Sequence, residues 1–214
     1  MSDLAFRVTS VEAVSRGVVP LLQFNLEITN TPATETIQAV MLHAQIQIQS
    51  AQRAYTQQEK ERLVELFGTP DQWGQTLRNR LWTHVNVTVP AFTGRVNVSM
   101  PVPCTYDLNV IGGKYFFALD GDDVPLLFLF SGTVFYQTAD ERLQIQRISW
   151  ERECTYRMPA HTWRELMETH YPNSAWLYLQ RDVFDRLYEH KRRHGLATWE
   201  QTIEHLLSPA EVTP

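Results

Sequence analysis

The residues with the widest chemical repertoire in this chain are its two cysteines, and both stand in the same triplet. CTY occurs in PVPCTYD, from Cys104 to Tyr106, and again in ERECTYR, from Cys154 to Tyr156. A thiolate metal site needs several ligands at short spacing, usually C-x2-C or a cysteine close to a histidine. Here each cysteine is alone in its segment, with Pro103 before one and Glu153 before the other. Each triplet reads as part of a strand, where residues two apart face the same side. Two buried, reduced cysteines are the favoured reading. A pair close enough to oxidise is the alternative, and a metal role comes last.

Other groups carry weaker signals. His190 and His194 are four apart on a helical stretch, a spacing that can place two imidazoles on one metal. Lys191, Arg192 and Arg193 between them repel a cation, and no third ligand is evident, so a basic C-terminal helical turn explains them better. No metal and no cofactor is expected. LWTHV brings Trp82 and His84 to the start of a strand, where a lone histidine more often bonds neighbouring backbone than acts as a base. In GGKYFFALDGDDVP, Gly112 and Gly113 precede Lys114, but the phosphate-loop spacing and the Ser/Thr after the lysine are missing. The DGDD turn opens like a calcium loop and lacks the glutamate that would close it. Ser131-Gly132 in FSGTVF is no nucleophile elbow. If a small-ligand site exists, its candidates are Trp82, His84, Cys104, Asp107, Lys114 and Tyr115. An exposed subset of the tryptophans, namely Trp73, Trp82 and Trp163, is the candidate anchor for a protein partner.

The elements that must position these groups are legible from periodicity. In LLQFNLEITN, Leu22, Phe24, Leu26 and Ile28 share one face; in AVMLHAQIQIQ, Val40, Leu42, Ala44, Ile46 and Ile48 share another. Period two with β-branched enrichment predicts half-buried antiparallel strands. A strand over Phe6 to Val14 precedes them. Thr56 and Glu59 form a capping box for a helix ended by Gly68, and Thr69 with Pro70 starts a second helix running to about Arg80. HVNVTVP and RVNVSMPVP, joined by AFTG, read as a hairpin. Further strands are expected at Tyr106 to Ile111, Val124 to Tyr136, Leu143 to Trp150 and Cys154 to Tyr156, with KYFFAL open between strand and helix. After Pro159 the pattern is helical. Trp163, Leu166 and Met167 lie on one side of the first helix, and Val183, Phe184, Leu187 and Tyr188 point inward from the next. Gly195 caps that helix, and Thr198 with Gln201 caps the last.

These elements predict an α+β fold: an antiparallel β-sheet or sandwich with an inserted helical pair and a helical C-terminal segment. The β domain covers 1–157 with its helical insertion at about 57–80, the helical segment packed on it covers 158–208, and 209–214 form a tail. A chain of 214 residues suits one such domain with an appendage. Net charge of −5 gives no attraction to nucleic acid or to an anionic membrane. The apolar run from Val124 to Phe130 is too short to span a bilayer, and MSDLAFRVTS lacks the apolar stretch of a signal peptide. The cytoplasm is the expected compartment, where thiols stay reduced.

The ordered series LFGTPDQWGQTLRNRLWTHVNVTVPAFTG, PVPCTYD, KYFFAL, PLLFLFSGTVFY, TWRELMETHYPNSAW and KRRHGLATWE resembles an uncharacterised bacterial family, a domain of unknown function, over nearly the whole chain. The stretches LWTHV, PVPCTYD and LFSGTVF carry it most specifically. Members of that family occur mainly in high-GC bacteria, frequently beside genes for nickel-iron hydrogenases and their accessory proteins. The resemblance implies a non-catalytic accessory or interaction protein, chaperone-like, assisting hydrogenase assembly or stability, with hydrogenase subunits or accessory proteins as partners. It implies no catalytic residues. The alternatives are an enzyme or ligand-binding protein at the site named above, and a structural subunit of a homo-oligomer.

Overall fold

The protein's computed structural model describes residues 2–14, 17–104, 110–121, 123–138, 142–174, 177 and 179–208. The chain divides into two compact units, Met1–Pro172 and Asn173–Pro214. The first contains two antiparallel sheets. One has the order β1 (Asp3–Val14), β2 (Leu21–Thr31), β6 (Arg95–Pro103). The other runs β4 (Arg80–Val89), β3 (Thr36–Ile48), β7 (Asp123–Gln137), β8 (Leu143–Arg147), with β5 (Phe92–Thr93) also on β3 and β9 (Glu153–Pro159) also on β7.

The alternating faces read from sequence are the ones that close the sandwich. Leu22, Phe24, Leu26 and Ile28 are fully buried, as are Val40, Ala44 and Ile46 on the facing sheet. Rings interlock between the sheets: Phe6 stacks on Phe130 with centroids 4.3 Å apart, and Phe24 meets Phe128 edge-on at 5.4 Å. Each such side chain, once buried, stabilises the fold by about 1.5–3 kcal/mol relative to exposure. Gly132 of β7 lies opposite Leu42 of β3. Its φ of +140° is one that L side chains rarely adopt, and a Cβ there would stand 2.0 Å from the Met41 carbonyl oxygen of β3.

Two expected connections are different. AFTG is no hairpin turn, because β4 and β6 belong to different sheets. Phe92 drops into the core at 8% exposure and its segment pairs with Thr36 and Ile37 of β3. The chain therefore crosses from one sheet to the other, and alternating valines on both sides cannot distinguish a crossing from a turn. At the expected strand of Tyr106 to Ile111, residues 106–109 lie outside the described residues, whereas Val110–Ala118 is a helix, α3. This resolves KYFFAL: Tyr115, Phe116, Ala118 and Leu119 are buried at helical spacing, against α1 (Gln57–Phe67) and α4 (Ala160–His170).

The first inserted helix is capped as expected, whereas Thr69 at the start of the second makes no side-chain cap hydrogen bond. At α1, Thr56 Oγ1 accepts from the Glu59 N–H and the Glu59 carboxylate accepts from the Thr56 N–H. The second is shorter than expected: a 3-10 turn over Pro70–Gln72 leads into a single turn, α2 (Trp73–Thr76), and the chain is extended by Leu77. The tryptophans proposed as exposed anchors are core residues instead, with Trp73, Trp82 and Trp163 at 7%, 6% and 1% exposure. Trp82 lies between Phe24 of β2 and Phe116 of α3, Trp163 packs on Phe116, and Trp73 packs on Phe67 of α1; among the described tryptophans Trp150, after β8, is the most exposed at 85%. Among the described residues no helix is long and apolar enough to cross a membrane.

The second unit holds α5 (Arg181–Arg193) and α6 (Trp199–Leu207). Gly195 at φ +64° ends α5, with Leu196 N–H donating to the Lys191 carbonyl across the cap. Thr198 and Gln201 form the expected capping box on α6. The inward face expected for α5 is not buried: Val183, Phe184 and Tyr188 stay 40%, 40% and 54% exposed.

Candidate functional site

Trp82 and His84 are two apart, so an ideal strand would put them on one face. A bulge separates them. Ile46 of β3 pairs with Thr83 and Gln47 with Leu81, which makes Trp82 an extra residue in the ladder and turns it inward. Its ring meets Phe24 at 6.4 Å and Phe116 at 5.2 Å. His84 points out, stacked on His43 at 5.2 Å between centroids, and His43 Nδ1 donates to Asn86 Oδ1 at 2.8 Å. Lys114 and Tyr115 diverge in the same way on α3. Lys114 is exposed and ion-paired with Glu65 of α1, while Tyr115 is buried against Phe67 and Phe116. Cys104 lies just beyond β6, 1% exposed, its Sγ donating to the Val102 carbonyl at 3.6 Å. Asp107 lies outside the described residues. Trp82, Tyr115 and Cys104 thus join the core, and His84 and Lys114 sit on outer surfaces of different elements.

Both cysteines are free. Burial pushes the Cys104 thiol up to about 12 and the Cys154 thiol up to about 11. Thiols held in that range are almost wholly protonated at neutral pH, which makes them weak nucleophiles and weak metal ligands.

A polar cluster that the sequence did not announce lies beside Tyr115. Arg53 and Glu59 form an ion pair at 2.8 Å with side chains only 3% and 2% exposed. Arg53 also donates to the carbonyls of Gly121 at 2.9 Å and Asp123 at 3.2 Å, and the Asp120 N–H donates to Glu59 at 3.0 Å. The pair therefore pins the start of α1 to the turn before β7. Burial works against both charges. Hydrogen bonds and attraction from Arg53, with the Thr56 and Asp120 N–H groups, outweigh it and hold the Glu59 carboxyl below its usual range. The bond and charge of Glu59 likewise overcome burial and raise Arg53. Next to them the Tyr55 hydroxyl donates to the Ser50 carbonyl at 2.7 Å, so Tyr115 must be the donor in the 2.8 Å bond between the two hydroxyls. Burial raises both phenols. Every one of these polar groups faces another part of the same unit, which is the chemistry of a structural clamp. The capping box showed Glu59 in sequence; its second partner, six residues back in a polar loop, left no pattern to read.

The second unit is the opposite case. Phe184, Tyr188 and Trp199 tie α5 to α6, with ring centroids 5.3 Å and 6.2 Å from Trp199. Around that seam Val183, Ile203, Leu206 and Leu207 remain 40%, 38%, 52% and 76% exposed. Ile203, Leu206 and Leu207 recur at helical spacing, so they form one apolar stripe on α6.

A two-sheet antiparallel sandwich with an inserted helical corner and a helix pair of its own at the C-terminal end defines the class. The chain belongs to the family of unknown function DUF6084, whose match spans residues 1–214. A search of curated proteins gives no match. Among solved structures, a candidate ApaA protein from Bordetella pertussis is similar at 12% identity and a TM-score of 0.29, over 74% of this chain and 95% of that one. A β-glucosidase 3B from Thermotoga neapolitana, solved with α-D-glucose, is similar at 8% identity and a TM-score of 0.25, over 73% of this chain and 17% of that one.

Proposed function

We propose that this protein is a non-catalytic accessory protein that binds another protein through the exposed apolar faces of α5 and α6. The observation that carries the reading is the contrast in burial. Leu206 and Leu207 stay 52% and 76% exposed on a helix that is well capped and tied to its neighbour. Exposed apolar stripes on ordered helices are surfaces that lose free energy when covered. The partner we propose is a subunit or assembly factor of a nickel-iron hydrogenase, on the strength of the gene neighbourhood of the family that the sequence resembles. Binding there would assist assembly or stability in a chaperone-like way. The ligand-site alternative has less behind it, because Trp82 and His84 face opposite sides of their sheet and Lys114 belongs to a separate surface.

The test is co-purification from a native host with the untouched chain and with Leu206→Asp/Leu207→Asp. Hydrogenase components retained by the first and lost by the second support the reading. No hydrogenase component with either chain removes the proposed partner, and equal retention by both removes the proposed surface.

A further inference from the structure

Three histidines meet where the last turn of α5 approaches α6. His190 and His194 are one turn apart on α5, with centroids at 4.2 Å, and His205 of α6 comes within 5.2 Å of the first and 4.8 Å of the second. His190 Nε2 and His205 Nδ1 are 3.3 Å apart. Two nitrogens bound to one tetrahedral ion at about 2.0–2.1 Å would be separated by about 3.3–3.4 Å. The third imidazole has its tautomer fixed. His194 Nδ1 is 2.9 Å from the His190 carbonyl, which can only accept, so Nδ1 carries the proton and Nε2 keeps a free lone pair. A ring nitrogen donating to backbone while the other stays bare is the arrangement that metal-ligating histidines adopt.

We propose that His190, His194 and His205 form a binding site for a divalent late transition ion of the zinc and nickel type, whose fourth position is open to water or to a side chain of a partner. Imidazole nitrogens suit these ions, and a histidine set without carboxylates disfavours magnesium and calcium. Among the described residues no group of three or more His, Cys, Asp or Glu is already drawn together as a metal cage. Here two donors have metal spacing, and the third belongs to an exposed side chain that can adjust at little cost while its Nδ1 keeps the bond to the His190 carbonyl. The proton now shared between His190 and His205 moves to the far nitrogen of its ring as the ion enters.

The neighbouring cations, which in sequence argue against an ion, are occupied elsewhere. Arg192 and Arg193 both bond Glu189 at 3.0 Å. Lys191 turns its ammonium to the carbonyls of Leu196 and Ala197, each at 2.8 Å. The site does not depend on the partner proposed above, since all three ligands belong to this chain.

The experiment is titration of the full, tag-free chain with Zn2+ and separately Ni2+ by calorimetry, and with Co2+ by visible absorption, at pH 7.5 and at pH 5.5. One ion per chain is expected, with the intense visible bands of a tetrahedral Co2+ site and weaker uptake at the lower pH. His205→Gln and His194→Gln should each weaken binding by about 100-fold or more, a loss at least as large as that from removing a supporting residue. Far-UV circular dichroism identical to that of the parent shows that the helices persist in those variants. Absence of one-to-one uptake, or uptake undiminished in both variants, overturns the site.

Discussion

The corner where α1 meets α3 and the α5–α6 pair are built from similar materials and end in opposite states. Both begin with a capping box, Thr56 with Glu59 and Thr198 with Gln201. Both contain aromatic rings in edge or tilted contact and several charged groups. At the corner the Arg53 and Glu59 charges are buried and answered, and the Phe67, Tyr115 and Phe116 rings are buried. In the helix pair Thr202 is the one buried residue of the two helices, and the aromatic seam leaves apolar side chains in water. One region spends its chemistry on holding itself together, and the other leaves its chemistry available. Stability should therefore respond to substitutions at the corner, and association to substitutions in the helix pair.

The largest stability effect should come from Glu59→Ala, which removes the carboxylate that answers the buried Arg53 charge at 2.8 Å and should cost about 3–5 kcal/mol in urea unfolding. The paired variant Arg53→Met/Glu59→Gln should recover much of that loss, because both buried charges are removed together; if it is as unstable as the single variant, the ion pair is not the reason for the loss. The same carboxylate sets a pH dependence. Its pKa is lowered by folding, so its contribution is complete above the unfolded value of about 4.3 and is lost as pH falls through the folded value. Unfolding midpoints measured from pH 7 downward should fall below about pH 4, and Glu59→Gln should flatten that fall.

Gly132→Ala follows, at about 1–3 kcal/mol or more. It combines a backbone conformation unfavourable to side chains with a methyl group driven into the Met41 carbonyl. Tyr115→Phe, which removes the hydroxyl that donates to Tyr55, should cost about 1 kcal/mol. Leu206→Asp/Leu207→Asp should change stability by no more than about 0.5 kcal/mol, since nothing buried is touched. A loss there as large as at the corner would mean that the stripe is a hidden core face, and the comparison would collapse.

How far the sequence carried this picture depended on the distance over which each feature is determined. The inward faces of β2 and β3, the two capping boxes and the Gly195 cap are set by residues within a few positions of one another, and all are as read. The crossing at AFTG was not legible, because sheet membership depends on strands far away in the chain. The bulge at Trp82 inverted one side chain relative to its neighbours, and alternation has no way to signal an extra residue. The tryptophans were misplaced for a simpler reason: sequence shows that a ring is large, not which helix will cover it. His190 and His194 were visible as a pair, while His205 enters only through the turn between α5 and α6.

The most direct measurement is hydrogen–deuterium exchange on the full chain, alone and mixed with a purified hydrogenase maturation complex from the same host. New protection concentrated in residues 181–207, with the sandwich strands unchanged, is the result this account predicts. Protection confined to the sandwich, with 181–207 exchanging as before, would contradict it.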